Sequence, residues 1–243
     1  MKSTIKMLLS ESLLAIVVSA CGGGGGGSSP SPAQTPVPAV KKPVTIDAQG
    51  DSTMYGYNGI GGQTPNNAPV VLQATLQAKF GASVTVVNNG VLGTTAPERM
   101  NGMAPYTQTF AQHIAADSSQ IVIVNFGIND ANPAIDESIS TFQNYLLQFI
   151  ATAQAAGKTV ILEEPNPTCD NPARTVNLDK VVATIDAIAS SGNIPLVSQY
   201  EYIKALPNWQ GMMPDCIHPN DALYAIKASR EAAVIGPIVE KMQ

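Results

Sequence analysis

Apolar residues recur along the chain in two alternating rhythms. Short runs rich in β-branched residues fit strands: from Val44 to a break at Gly50, then 84–87, Ile121–Asn125, 159–162 and 194–197. Between them, apolar residues return every three or four positions. Leu72, Leu76 and Phe80 share one face of a helix that Pro69 would open and Gly81 would stop. Ile139, Phe142, Leu146, Phe149 and Ile150 form the stripe of an amphipathic helix over 136–156. A weaker helical stretch covers 107–116. A helix capped by Asn177 would carry Val181, Val182, Ile185 and Ile188 as far as Gly192. The last helix would run over 221–235, where Gly236-Pro237 breaks it. The run Ile121–Asn125 is apolar almost throughout, as in a central strand covered on both faces. Strands separated by helices predict βα repeats and a five-stranded parallel sheet with helices on both sides, over residues 44–243.

The first 43 residues follow neither rhythm. Lys2 and Lys6 precede an apolar stretch, cleanest over 13–20, that is too short to span a bilayer. Residues 1–20 therefore fit a secretory signal peptide. Val18-Ser19-Ala20-Cys21 resembles a bacterial lipobox, although Glu11 departs from the usual apolar region. That resemblance implies cleavage before Cys21, lipid on its thiol and amine, and a membrane anchor. Gly22, where an Asp would retain the protein elsewhere, implies the outer membrane of a Gram-negative cell envelope. Residues 21–43, with six consecutive glycines and then Pro-rich sequence, read as a tether that cannot form a core. The 243-residue chain carries a net charge of -5, and loss of two lysines and one glutamate with residues 1–20 makes it -6. This argues against nucleic acid as a partner. No Cys-x-x-Cys, paired-His, Gly-x-Gly-x-x-Gly or phosphate-loop spacing occurs, so no metal and no cofactor is expected.

A parallel sheet places its working residues beyond the carboxyl ends of the strands. The loops there contain Ser52, then Gly93, then Asn129, then Cys169, then Asp215 and His218. Ser52 in Gly50-Asp51-Ser52 is by itself equally a turn residue. Asp215 and His218 lie three apart, so the carboxylate could orient the imidazole and the imidazole could take the proton of a serine hydroxyl. The alternative is a helix-start histidine beside a carboxylate. A serine esterase also needs donors aimed at the developing oxyanion. The N–H groups of Ser52 and Gly93 and the amide of Asn129 could serve, though each also suits a turn. His113, in a helical stretch with only Asp117 nearby, reads as structural. Once Cys21 carries lipid, Cys169 and Cys216 are an even pair, which in an exported protein suggests a disulfide; two reduced thiols are the alternative. Tyr55 and Tyr57 could line an acyl or sugar pocket, or pack a loop.

Taken together, Gly50-Asp51-Ser52, Gly93 in Asn89-Gly90-Val91-Leu92-Gly93-Thr94-Thr95, Gly127-x-Asn129-Asp130 and Asp215-x-x-His218 resemble the four blocks of the SGNH (GDSL-type) serine hydrolases, in the family's order. The resemblance implies a flavodoxin-like, three-layer α/β/α sandwich. It implies hydrolysis of carboxylic esters or thioesters through an acyl-enzyme, with neither cofactor nor metal. Carried over, Ser52 is the nucleophile, His218 the base and Asp215 its orienter, while Ser52, Gly93 and Asn129 are the oxyanion donors. Thr53 stands where the family's short name has Leu, a variable position. Met54 replaces the second glycine of the Gly-x-Ser-x-Gly elbow, so that other arrangement does not apply. The expected partners are a small-molecule, lipid or glycan ester and, through the anchor, a membrane. Two other readings use the same fold: a lipoprotein that binds a glycan or lipid without chemistry, and a flavin carrier, the latter by fold analogy alone.

Overall fold

The computed structural model describes residues 41–243. The expected signal peptide, Cys21 and the tether up to residue 40 lie outside the described residues. Five strands form one parallel sheet: β1 (Val44–Gly50), β2 (Val84–Gly90), β3 (Ile121–Asn125), β4 (Thr159–Glu163) and β5 (Leu196–Val197), in the order β2-β1-β3-β4-β5. The path leaves β1 for one neighbour, β2, and returns to the other, β3. Strand order therefore reverses at β1/β3, and a crevice opens beyond the carboxyl ends of those two strands.

Helices cover both faces. α2 (Ala68–Phe80) and α8 (Asp221–Met242) pack on one side; α3 (Ala96–Asn101), α4 (Phe110–Ala116), α5 (Ile139–Ala155) and α6 (Pro172–Gly192) pack on the other, and a short α7 (Tyr200–Lys204) follows β5. β3 shows why its sequence is apolar without alternation. Ile121 and Ile123 enter the core under α2 and α8, while Val122 and Val124 enter the opposite core. The three-layer α/β/α sandwich expected from the sequence is the observed fold.

Three local expectations change. α6 begins at Pro172, with Asn171 accepting from Ala173 N, so the cap is not Asn177. Pro is pre-set for a first helical turn, and Asn171 before it supplies the capping oxygen. Asn177 lies inside α6, where its amide donates to Ala131 O at 3.2 Å. α8 runs through Gly236-Pro237 to Met242. Pro237 lacks one N–H, but Ile235 and Val239 on either side are fully buried, and each contributes about 1.5–3 kcal/mol. That burial outweighs the lost bond. α3 was not expected, although its capping box is written in Thr95-x-x-Glu98, which forms both reciprocal hydrogen bonds.

α8 is fastened to the sheet by a buried ionic cluster. Lys227 Nζ lies 3.1 Å from Glu163 Oε1, and Gln199 Nε2 donates to Glu163 Oε1 and to Lys227 O at 3.3 and 3.2 Å. Glu231 is buried beside them. Burial pushes both carboxyl groups up; Lys227 draws Glu163 back down, whereas the neighbouring Glu163 drives Glu231 higher. These directions favour the proton on Glu231 and the charge on Glu163, which faces the ammonium. Lys227→Met is expected to cost about 3–5 kcal/mol by stranding a buried carboxyl group. Glu231→Gln, which mimics the protonated acid, is expected to cost under about 1 kcal/mol. Urea unfolding measures both, and equal losses would contradict this assignment.

Candidate active site

The end of β1 is shaped by close approach. A Cβ on Gly50 would lie 2.6 Å from Asn125 O, and one on Gly90 would lie 2.1 Å from Tyr55 N. Only with glycine at both positions can the next turn, α1 (Ser52–Tyr55), rest on the sheet. Asp51 caps that turn: its Oδ1 accepts from Thr53 N at 2.8 Å and Thr53 Oγ1 at 2.9 Å. Burial pushes the Asp51 carboxyl up, against the pull of those two bonds and of Lys227 and His218. Ser52 becomes the first helical residue, so its N–H has no partner inside the helix.

His218 Nε2 lies 2.8 Å from Ser52 Oγ, and its Nδ1 lies 2.6 Å from Asp215 Oδ2. The other carboxylate oxygen, Oδ1, accepts from Ile217 N and His218 N at 3.0 and 2.7 Å. Burial alone would raise the Asp215 pKa; the hydrogen bonds from His218 and Ile217 outweigh it and hold the group below the usual carboxylate range. Two supports fix this loop. Cys169 and Cys216 are joined, as the even pair suggested, and Cys169 N donates to Cys216 O at 2.8 Å. The bridge ties the loop after β4 to the Asp215–His218 turn across a separation of 47 residues, a constraint of about 4 kcal/mol in the chain-entropy model. On the other side the Tyr57 ring meets the imidazole edge-on, with centroids 4.7 Å apart at 80°. Tyr57 therefore packs the site loop; its backbone carbonyl accepts from Tyr224 Oη at 2.7 Å.

The loops after β2 and β3 are clipped together. Asn129 Nδ2 donates to Thr94 O at 2.9 Å, and Asp130 Oδ1 accepts from Ala96 N at 2.8 Å. Val91 N donates to Gly50 O at 3.0 Å and joins this pair of loops to the Ser52 turn. Gly93, at a left-handed φ of 71°, lies exposed in the same segment. Ser52, Gly93, Asn129, Asp215 and His218 thus all lie at the carboxyl edge of the sheet.

His113 stands apart from them. Its Nε2 meets Asp47 Oδ2 at 2.9 Å, while Asp117, its neighbour in sequence, bonds Ser119 and Lys158. The sheet brings in Asp47 across 66 positions, a pairing that no local spacing announces. Among the described residues no group of three or more His, Cys, Asp or Glu is arranged to hold a metal ion.

Against known proteins, residues 48–226 match the model of the GDSL-like Lipase/Acylhydrolase family. A search of curated protein sequences finds no match. Similar solved structures include a lipase/acylhydrolase from Enterococcus faecalis, with 20% identity and a TM-score of 0.68 over 80% of this chain and 96% of that one. A catalytic mutant of an acetylxylan esterase from Geobacillus stearothermophilus has 19% identity and a TM-score of 0.64 over 81% and 96%. An aryl esterase from M. smegmatis has 15% identity and a TM-score of 0.64 over 80% and 99%. These likenesses establish the fold.

One buried acid makes the Asn129 loop sensitive to pH. Burial first, and the nearby Glu137 second, push Asp130 from an ordinary 3.8 up to about 8. Its Oδ2 has no hydrogen-bond partner among the described residues. The folded chain binds this proton more tightly than the unfolded chain does. The group therefore withdraws stability as pH rises from about 4 to about 8. Asp130→Asn keeps the acceptor for Ala96 N and cannot ionise. Its unfolding free energy is expected to fall less than the wild type's between pH 5 and 8; parallel curves would contradict the shift.

Proposed function

Because the chain belongs to the GDSL-like lipase/acylhydrolase family, and is thereby a carboxylic ester hydrolase, we propose that it works through a Ser52–His218–Asp215 triad and an acyl-enzyme. The observation that carries this reading is the 2.8 Å contact between Ser52 Oγ and His218 Nε2, backed by Asp215. Asp215 takes the Nδ1–H hydrogen bond, so Nε2 keeps its lone pair and accepts the serine proton. Oγ attacks the ester carbonyl carbon, and the carbonyl oxygen becomes an oxyanion. The N–H groups of Ser52 and Gly93 and the second N–H of Asn129 Nδ2 receive that charge; removing one such donor typically costs about 3 kcal/mol of barrier. The imidazolium then gives its proton to the leaving alkoxide oxygen as the C–O bond breaks. Water, deprotonated by His218, attacks the acyl carbon; the Oγ–acyl bond breaks, the imidazolium returns the proton to Ser52 Oγ, and the carboxylic acid leaves.

The substrate class is a small-molecule or glycan ester. Likeness to structures described as an acetylxylan esterase and an aryl esterase supports this. A binding protein on the same fold would have no use for a base aimed at a serine hydroxyl. A fluorophosphonate probe is expected to label the wild type at one site and to leave Ser52→Ala unlabelled. Unchanged labelling of that variant would remove Ser52 from the mechanism.

We further propose export as a lipoprotein. Residues 1–20 are the signal, lipidated Cys21 and residues 22–43 the tether, and 44–243 the hydrolase domain, held at the cell envelope. The Cys169–Cys216 bridge supports an oxidising compartment. In a Gram-negative host, Cys21→Ser is expected to move the protein from the membrane pellet to the soluble fraction; full retention in the pellet would contradict the anchor.

A further inference from the structure

The two loop donors hang on one residue. Gly93 sits exposed in a left-handed turn, and a Cβ there would meet nothing within 4 Å, so no side-chain packing on that side fixes it. Leu92 beside it is 48% exposed. What holds the turn is its flanks. On one side Val91 N donates to Gly50 O. On the other, Thr94 is buried, and its Oγ1 donates to Val91 O at 2.9 Å, closing a ring around Leu92 and Gly93. The carbonyl of the same Thr94 accepts from Asn129 Nδ2 at 2.9 Å.

Tyr106 Oη lies 2.9 Å from Thr94 Oγ1. The threonine hydroxyl has one hydrogen, already directed at Val91 O, so the phenol is the donor. Burial pushes that phenol up to about 12, which keeps it a donor across any assay range. Tyr106 lies in the connection between α3 and α4, outside every motif of the site. It is nevertheless held from the sheet. The Arg99 guanidinium sits 4.9 Å over its ring, and Arg99 Nε donates to Gln49 Oε1 at 2.6 Å. Gln49 in turn donates to Asp47 at 2.8 Å, and Asp47 also accepts from Asn89 at 2.7 Å. A polar chain, buried at Asp47, Gln49, Arg99 and Thr94 and half-buried at Asn89 and Tyr106, thus runs from β1 and β2 to the one residue that both loop donors share.

We propose that Tyr106 and Thr94 are positioning residues that aim the Gly93 N–H and the Asn129 amide at the substrate carbonyl oxygen. The inference rests on the reading of those two groups as oxyanion donors. Misaiming preorganised donors lowers the rate of the chemical step and leaves ground-state binding nearly unchanged.

The test uses Tyr106→Phe, Thr94→Val, Thr94→Ser, Asn129→Ala and the double variant Tyr106→Phe/Asn129→Ala, assayed on p-nitrophenyl acetate. Tyr106→Phe keeps the ring on Arg99 and removes only the hydroxyl. It and Thr94→Val are expected to lower kcat about 5- to 30-fold with KM within about twofold. Thr94→Ser, which keeps the hydroxyl, is expected to stay within about threefold of the wild type in kcat. In the double variant the combined loss is expected to fall short of the product of the single losses by at least about threefold, because Asn129→Ala removes one of the two donors that Tyr106 aims. A kcat for Tyr106→Phe within twofold of the wild type would overturn the proposal, as would losses that multiply fully with Asn129→Ala. If Asn129→Ala itself loses no rate, the donor reading falls instead, so the two failures are distinguishable.

Discussion

A serine hydroxyl turns nucleophilic only where a base can receive its proton, and the proposed mechanism rests on the structure meeting that one condition. Ser52 and His218 are 166 positions apart, yet Ser52 Oγ and His218 Nε2 are 2.8 Å apart. Neither residue lies on a strand. Ser52 opens a four-residue helix set on the end of β1, and His218 sits two residues before the cap of α8. The contact therefore depends on two placements: how closely α1 settles on the sheet, and how firmly the start of α8 is held. The first is answered by the missing side chains at Gly50 and Gly90. The second is answered by the disulfide, by the Tyr57 ring and by the buried Lys227–Glu163 pair on the first turns of α8.

These supports are polar to an unusual degree for a core. Asp47, Gln49, Asp51, Asn125, Glu163, Gln199, Lys227 and Glu231 are all essentially inaccessible to solvent. Buried polar groups stabilise little by themselves, because desolvation offsets most of what pairing returns. What they supply is direction. Asn125 shows it: its Oδ1 accepts from Thr53 in the Ser52 turn, while its Nδ2 donates to the carbonyls of Glu163 and Glu164 at the end of β4. An apolar residue there could fill the space but could not set the angle between the two segments.

How much of this the sequence announced follows from the range of each interaction. The alternation of five strands with helices, the two buried faces of β3, the stripe on α5 and the loop positions of Ser52, Gly93, Asn129, Asp215 and His218 are readable, because local periodicity and loop position encode them; the strand order is not. The Cys169–Cys216 pair was readable from parity. The start of α6 was misplaced by several residues because two asparagines, Asn171 and Asn177, both suit a cap and only Pro172 distinguishes them. The break expected at Pro237 failed because tertiary burial of Ile235 and Val239 overrode a local preference. The partners of His113, the edge contact of Tyr57 and the hydroxyl contact of Tyr106 left no local trace. Each joins segments that only the folded sheet brings together. α3 is hidden for another reason: its capping box stands among residues that otherwise read as a loop.

The most direct measurement of the central contact is acid-quenched peptide mass mapping during turnover of an activated ester. If His218 activates Ser52, the peptide containing residue 52 gains the mass of the acyl group, and does so as fast as the first equivalent of leaving group is released. Turnover with the acyl group on another residue, or with no acylated peptide when hydrolysis of the intermediate has been slowed by low pH, would contradict the account.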